Sequence, residues 1–197
     1  MFSIPFNEKR IALFTEETDQ QLVGYGSNFK VPVLVDGDLI IWDSLSILEY
    51  LSEAYLQGAG WPAKTEARVF ARSMSAEMHS SFQALRDELP MNCRKKFNGI
   101  KLSAAASDDV KRVCDLWNRC HRDYGNQGGW LAGEFSAVDA MYVPVALRIA
   151  GYGIEVDGFA KEYVQFVLAN ENIIQWREAG CREKEIIVED EIETCGI

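Results

Sequence analysis

The chain has 197 residues, 48% of them hydrophobic and 25% charged, with 20 Lys+Arg against 30 Asp+Glu and a formal net charge of -10. At this length it makes one large domain or two small ones and buries roughly two-thirds of its unfolded surface. The acid excess excludes the clustered basic surface of a nucleic-acid binder or a membrane-surface helix, and no apolar run approaches the roughly 20 residues of a membrane span.

Met1–Arg10 lacks the basic-then-apolar layout of a signal peptide, so the expected compartment is the cytoplasm. The cysteines, Cys93, Cys114, Cys120, Cys181 and Cys195, are odd in number and contain no Cys-x-x-Cys. With His79 and His121 the only histidines, neither a disulfide framework nor a metal centre is expected. Charge is uneven: residues 1–62 hold 3 basic and 9 acidic side chains, 63–180 hold 15 of each, and 181–197 hold 2 and 6. The turn-rich run Gln57-Gly58-Ala59-Gly60-Trp61-Pro62 separates a mixed α/β block from a helical one. The expected domains are therefore 1–62, with linker 57–62, and 63–197, ending in an acidic tail at 181–197 that reads as solvated and frayed.

Asn7–Leu13 fits a strand, and Thr15 followed by Glu16 and Glu17 resembles an N-cap opening a short helix toward Val23. Gly24-Tyr25-Gly26-Ser27-Asn28 ends it. Two β-branched runs, Val31–Val35 and Asp38–Trp42, flank Asp36-Gly37, a strong hairpin signal. After Asp43-Ser44, one of which caps, Leu45, Ile47, Leu48, Leu51, Ala54 and Tyr55 recur at helical spacing. From Thr65, the stripe Phe70, Met74, Met78, Phe82, Leu85 and Leu89 predicts one long amphipathic helix ending near Pro90. Val110, Val113, Cys114, Trp117, Cys120, His121 and Tyr124 predict another. A loop over Gly125–Gly133 leads to Ser136-Ala137-Val138-Asp139, a capping box in which each residue satisfies the other's amide. The helix it opens contains Pro144, expected to kink or loosen it. Val164–Leu168 and Ile173–Trp176 suggest two more helices.

The stretch from Lys30 through Leu51, with its Val-Pro, its Asp-Gly hairpin and its acid-Ser helix start, resembles the glutathione-binding half of cytosolic glutathione transferases. The Ser136-x-x-Asp139 box resembles the start of their buried central helix, and Ala140–Leu147 continues as in a bacterial subgroup. The resemblance implies an α+β chain: a thioredoxin-like amino-terminal domain followed by an all-helical carboxyl-terminal domain. It implies a cis Val31–Pro32 bond, which turns the chain so that Val31 offers its N–H and C=O to the cysteinyl unit of glutathione. Ser44 then binds the γ-glutamyl carboxylate at a helix start, Asp43 meets the ligand's ammonium, and Lys30 reaches its glycine carboxylate. From the residues alone, Pro32 also fits a trans proline at a strand start, and Asp43-Ser44 a cap and nothing more. Met78, His79 and Phe82 fall where the family binds its apolar second substrate; the stripe equally fits core packing.

Where the family opens with a strand and a helix bearing a Ser, Tyr or Cys that supports the glutathione thiolate, this chain opens at Ile4-Pro5-Phe6-Asn7. Ser3 has no helix behind it, so no catalytic residue is assigned and a first strand and helix are expected to be absent. Phe29 replaces a usual Gly, and Gly26-Ser27 stands where a Pro is frequent. Three readings follow: a zeta-like or maleylacetoacetate-isomerase-like transferase acting with glutathione on a small electrophile, a non-catalytic glutathione-binding or dimerising module, or a poorly folding remnant. A homodimer is the expected assembly. Neither a Gly-x-Ser-x-Gly hydrolase motif nor a redox Cys-x-x-Cys is present.

Overall fold

The structure is a computed structural model that describes residues 1–26, 28–126 and 128–192. Ser27 of the predicted turn, Gln127 of the predicted loop, and Glu193 and Cys195 of the tail lie outside the described residues. The chain divides into two compact units, Met1–Gly60 and Trp61–Ile197.

In the first unit, residues 1–12 have no regular structure, so the strand expected over Asn7–Leu13 is not formed. A strand needs a ladder partner, and the sheet among the described residues is two-stranded. Helix α1 spans Thr18–Val23, with Glu17 at its N-cap and no side-chain capping bond. Thr15 is therefore not the cap. Its N–H is instead given to the Thr18 hydroxyl at 2.9 Å, and that hydroxyl donates to the Ala12 carbonyl at 2.9 Å.

Strands β1 (Val33–Asp36) and β2 (Leu39–Trp42) pair antiparallel, Val33 with Trp42 and Asp36 with Leu39. The two-residue turn is consequently Gly37-Asp38, one position later than the Asp36-Gly37 signal suggests. Gly37 has φ 58, the glycine-first arrangement of a tight hairpin loop. Helix α2 follows over Ser44–Ala54. Its end is closed by Tyr55 N–H to Leu51 O at 3.1 Å and Gly58 N–H to Ser52 O at 2.8 Å. Gly60 then passes so near α2 that a Cβ there would stand 2.7 Å from Ser52 Cβ.

The second unit is helical: α3 (Thr65–Ser80), α4 (Gln83–Glu88), α5 (Ala104–Tyr124), α6 (Ala137–Gly151), α7 (Gly158–Ala169) and α8 (Glu171–Arg182). The single helix expected from Thr65 to Pro90 is two. Ser81 is extended and Phe82 left-handed at φ 61, which breaks the i to i-4 ladder. The break keeps Phe82 buried, and the new helix start is satisfied from outside: Asp109 accepts the Leu85 N–H at 3.0 Å. Pro144 does not end α6, which is assigned as one helix across it.

Helix α6 is buried along most of its length and forms the middle of the unit, contacting α3 and α7. Its partners are large aromatics with polar handles. The Trp117 ring lies 5.8 Å from Tyr142 and 4.8 Å from Tyr163, both edge-on. Tyr142 donates to the Met74 carbonyl at 3.0 Å and Tyr152 to the Pro90 carbonyl at 2.8 Å, while Arg148 Nε donates to the Leu89 carbonyl at 2.8 Å.

The described part of the acidic tail is mostly exposed and is tied to the loop after α4. Arg94 donates to the carbonyls of Glu183 and Glu185 at 2.9 and 3.0 Å, Asn92 donates to Glu191 at 3.1 Å, and Lys95 pairs with Glu191. These side chains belong to the loop after α4, so the block's acid has a local basic counterpart that net charge per segment conceals. Among the described residues no helix is long and apolar enough to cross a membrane.

Candidate functional site

The register of the hairpin places the predicted ligand residues together. Because Val33 pairs with Trp42, Val31-Pro32 and Asp43-Ser44 both lie just past the ladder, at the end away from the turn. The Val31–Pro32 bond is cis, as the resemblance implies. Val31 is 46% exposed, and its N–H and C=O make no hydrogen bond among the described residues. Next to it, Lys30 is exposed and donates its N–H to Asn28 Oδ1 at 3.2 Å. Phe29 sits at φ 60, which is why a glycine suits that position in the family pattern.

Of the Asp43-Ser44 pair, Asp43 is the cap. Its Oδ1 accepts the Leu45 N–H at 2.9 Å and the Ser46 N–H at 3.3 Å, and its backbone is held at φ 77. A non-glycine residue in that region is strained, and the two capping bonds help hold it there. Ser44 becomes the first helical residue. Its amide is one of the four that an α-helix leaves without an internal partner, at the positive end of the macrodipole. A carboxylate approaching this end would meet donors and a favourable field; a main-chain peptide unit would find the unpaired groups of Val31.

The other end of the hairpin is fastened by a contact that no sequence signal identified. Tyr50 donates to Asp36 Oδ2 at 2.7 Å, and Tyr55 donates to the same oxygen. The two phenols hold the Asp36 carboxyl below its ordinary range, and the hydrogen bond to that carboxylate in return pushes Tyr50 up to about 12. An acid at the last ladder position and two tyrosines five apart in the next helix are the only trace this leaves in the sequence.

The apolar candidates divide. Met78 and Phe82 are buried, each 4% exposed, the arrangement the core-packing alternative describes, and Phe82 sits at the left-handed break. His79 is exposed. The capping box at α6 forms, but its halves are unequal. Asp139 Oδ2 accepts the Ser136 N–H at 3.0 Å, whereas the Asp139 N–H goes to the Ser136 carbonyl at 3.0 Å and Ser136 Oγ has no hydrogen-bond partner among the described residues. Asp139 does more than cap: its Oδ1 also accepts from Leu131 N–H at 3.0 Å and Tyr163 OH at 3.3 Å. Burial pushes its carboxyl up to about 7, against the pull of those donors. An open depression of about 680 Å³ runs along α5, lined in part by Lys111, Cys114, Asp115 and Asp157, and burial lifts the Cys114 thiol there to about 11.

Residues 1–53 match the model of the glutathione S-transferase N-terminal domain family. The chain is 37% identical over 65 residues to a dichloromethane dehalogenase of Methylophilus leisingeri, which is 32% of this chain and 24% of that one. It is 26% identical over 132 residues to glutathione S-transferase 1 of Dianthus caryophyllus, 66% of this chain and 59% of that one. The matched stretch thus spans about a quarter of the dehalogenase. Among solved structures, a Burkholderia glutathione transferase homolog with bound glutathione superposes with a TM-score of 0.65 at 20% identity, over 90% of this chain and 84% of that one. Ure2p in complex with glutathione gives 0.60 at 17%, over 83% and 79%. The first 53 residues are thus similar to the amino-terminal domain of glutathione S-transferases, and the solved structures extend the likeness of fold over most of the chain. Its fold is that of a thioredoxin-like amino-terminal domain followed by a helical carboxyl-terminal domain.

Proposed function

We propose that this transferase-like chain binds glutathione at the open end of its hairpin and acts with it on a small hydrophobic electrophile, in the manner of a zeta-like or maleylacetoacetate-isomerase-like transferase. The observation that carries the reading is the conjunction of unpaired main-chain groups at Val31 with the start of α2 at the same end of the ladder, inside the residues that match the family's domain. Val31, set by Pro32, would take the cysteinyl unit as a short strand addition. Ser44 would hold the γ-glutamyl carboxylate with its hydroxyl and amide, Asp43 would face the ammonium, and Lys30 would neutralise the glycine carboxylate. A cytoplasmic homodimer is part of the same proposal, with sedimentation as its check.

A non-catalytic glutathione-binding or dimerising module is the second reading: among the described residues before the hairpin, the Thr18 hydroxyl at the start of α1 is already given to the Ala12 carbonyl. Calorimetric titration with glutathione, followed by a conjugation assay with a chlorodinitrobenzene-type electrophile, separates the readings. Binding with turnover supports the enzyme, binding without turnover supports the module, and absence of heat and protection at millimolar glutathione sinks both.

A further inference from the structure

The second unit brings two of its thiols together. Cys93 lies in the loop after α4, and Cys181 lies on the last turn of α8. Cys181 Sγ donates to the Cys93 carbonyl at 3.0 Å, and a methyl placed on Gly180 would stand 3.1 Å from Cys93 Sγ and 3.4 Å from its Cβ. The Cys93 side chain therefore lies against the last turn of α8, beside the residue that precedes Cys181. Cys114 and Cys120 sit on α5 and belong to neither group.

We propose that Cys93 and Cys181 form a reversible disulfide on meeting a low-molecular-weight disulfide such as oxidised glutathione, and that the bond fastens the end of α8 to the 91–95 loop. The site is independent of the hairpin and does not rest on glutathione binding there. Exposure sets the order of events. Cys181 is exposed and Cys93 half-buried, and burial, with Cys181 and Glu183 nearby, raises the Cys93 thiol against the opposing Arg177 and Arg94. Cys181 is therefore the thiol that attacks first.

Its thiolate displaces one glutathione from the oxidant: the oxidant's S–S bond breaks, a Cys181–glutathione bond forms, and the departing thiolate takes up the proton Cys181 released. Cys93 then attacks Cys181 Sγ. The mixed bond breaks, the protein disulfide forms, and the second glutathione leaves as a thiol with the proton from Cys93. Two protein thiols are oxidised by two electrons and one small disulfide becomes two thiols, so no further oxidant enters. The product reinforces existing polar ties, since Arg94 and Asn92 of the same loop already hold residues 183, 185 and 191.

The test incubates the whole 197-residue protein with oxidised glutathione, alkylates remaining thiols, and measures intact mass and non-reduced peptides. The expected product carries two fewer alkyl groups than the reduced and alkylated control, yields a Cys93–Cys181 linked peptide, and reverts with dithiothreitol. Cys93→Ser should stop at a stable glutathione adduct on Cys181, and Cys181→Ser should give neither adduct nor cross-link. Oxidised wild type should also be cut by trypsin after Lys184 several-fold more slowly than reduced wild type, with no such difference in Cys93→Ser. A stable adduct on wild type, full alkylation of both thiols, or linkage of either to Cys114, Cys120 or Cys195 overturns the pairing. Equal digestion rates overturn the fastening.

Discussion

Replacing Asp139 by Ala removes a carboxylate that is 0% exposed and accepts from Ser136 N–H, Leu131 N–H and Tyr163 OH. All three donors belong to buried residues, and each one stranded costs about 1 to 3 kcal/mol. Water entering the vacated space recovers part of this, so a total of about 3 to 5 kcal/mol is expected near pH 5. At this size that is a fall in Tm of about 6 to 20 °C. The effect depends on pH. Burial raises the folded carboxyl from 3.8 to about 7, so between those values the folded state binds more protons than the unfolded one and wild-type stability drops as pH rises. Integrated from about pH 5 to pH 8, that loss is on the order of 3 kcal/mol, and it is absent from Asp139→Ala. The gap between wild type and variant should accordingly narrow to about 0 to 2 kcal/mol by pH 8. Thermal melts followed by far-ultraviolet dichroism at both pH values, with glutathione calorimetry well below either midpoint, check this. A gap equal at the two pH values refutes the assignment of burial as the dominant influence, and a parallel loss of glutathione affinity refutes a purely structural role.

Ser44→Ala should weaken glutathione binding roughly tenfold or more, the usual consequence of deleting a hydrogen bond to a charged group, with Tm little changed; calorimetry reads this directly. Gly60→Ala places a methyl against Ser52 at 2.7 Å inside a packed turn and should cost about 1 to 3 kcal/mol, visible as earlier unfolding of the first unit in limited proteolysis. In Asp36→Asn, the Tyr50 phenol should ionise well below the value of about 12 that it has beside the carboxylate, which a spectrophotometric titration of phenolate absorbance would show. Cys120, lifted to about 12 by burial, and Cys114 should resist alkylation at pH 8 until the chain is unfolded, and reaction of either in the native protein would contradict their placement.

The parts of the fold carried by short-range signals were readable in advance. The hairpin, the helix after Asp43-Ser44, and the helix behind Ser136 rest on turn chemistry, capping and periodicity, all of which act within a few residues. What failed depends on distant partners. The Asn7–Leu13 pattern is strand-like, but pattern without a neighbouring strand does not make a ladder. The stripe from Phe70 to Leu89 keeps its period across a break at Phe82, because burial of that side chain survives the left-handed turn and Asp109, 24 residues on from Leu85, supplies the cap. The residues proposed to hold glutathione, Val31, Pro32, Asp43 and Ser44, could be singled out together because they are nearly contiguous along the two arms of one hairpin. Met78 and Phe82 were ambiguous for the opposite reason: an apolar stripe looks the same whether it faces a ligand or a core. The clasp on Asp36 and the Cys93–Cys181 approach join residues 14 or more apart with no spacing rule to announce them.

Tyr142, Arg148 and Tyr152 reach from α6 and its end to carbonyl oxygens at Met74, Leu89 and Pro90. Each acceptor is main chain, so the bond survives any substitution there that leaves the backbone in place. The burden of specification falls on one side only. In a saturation library of the second unit, positions 74 and 89 should tolerate exchanges that preserve apolar volume, while Tyr→Phe at 142 or 152, a change of one oxygen atom, should be selected against. Tolerance would then map where an oxygen is accepted rather than where a side chain is large, and α6 would carry the instructions for neighbours whose own letters are free to change.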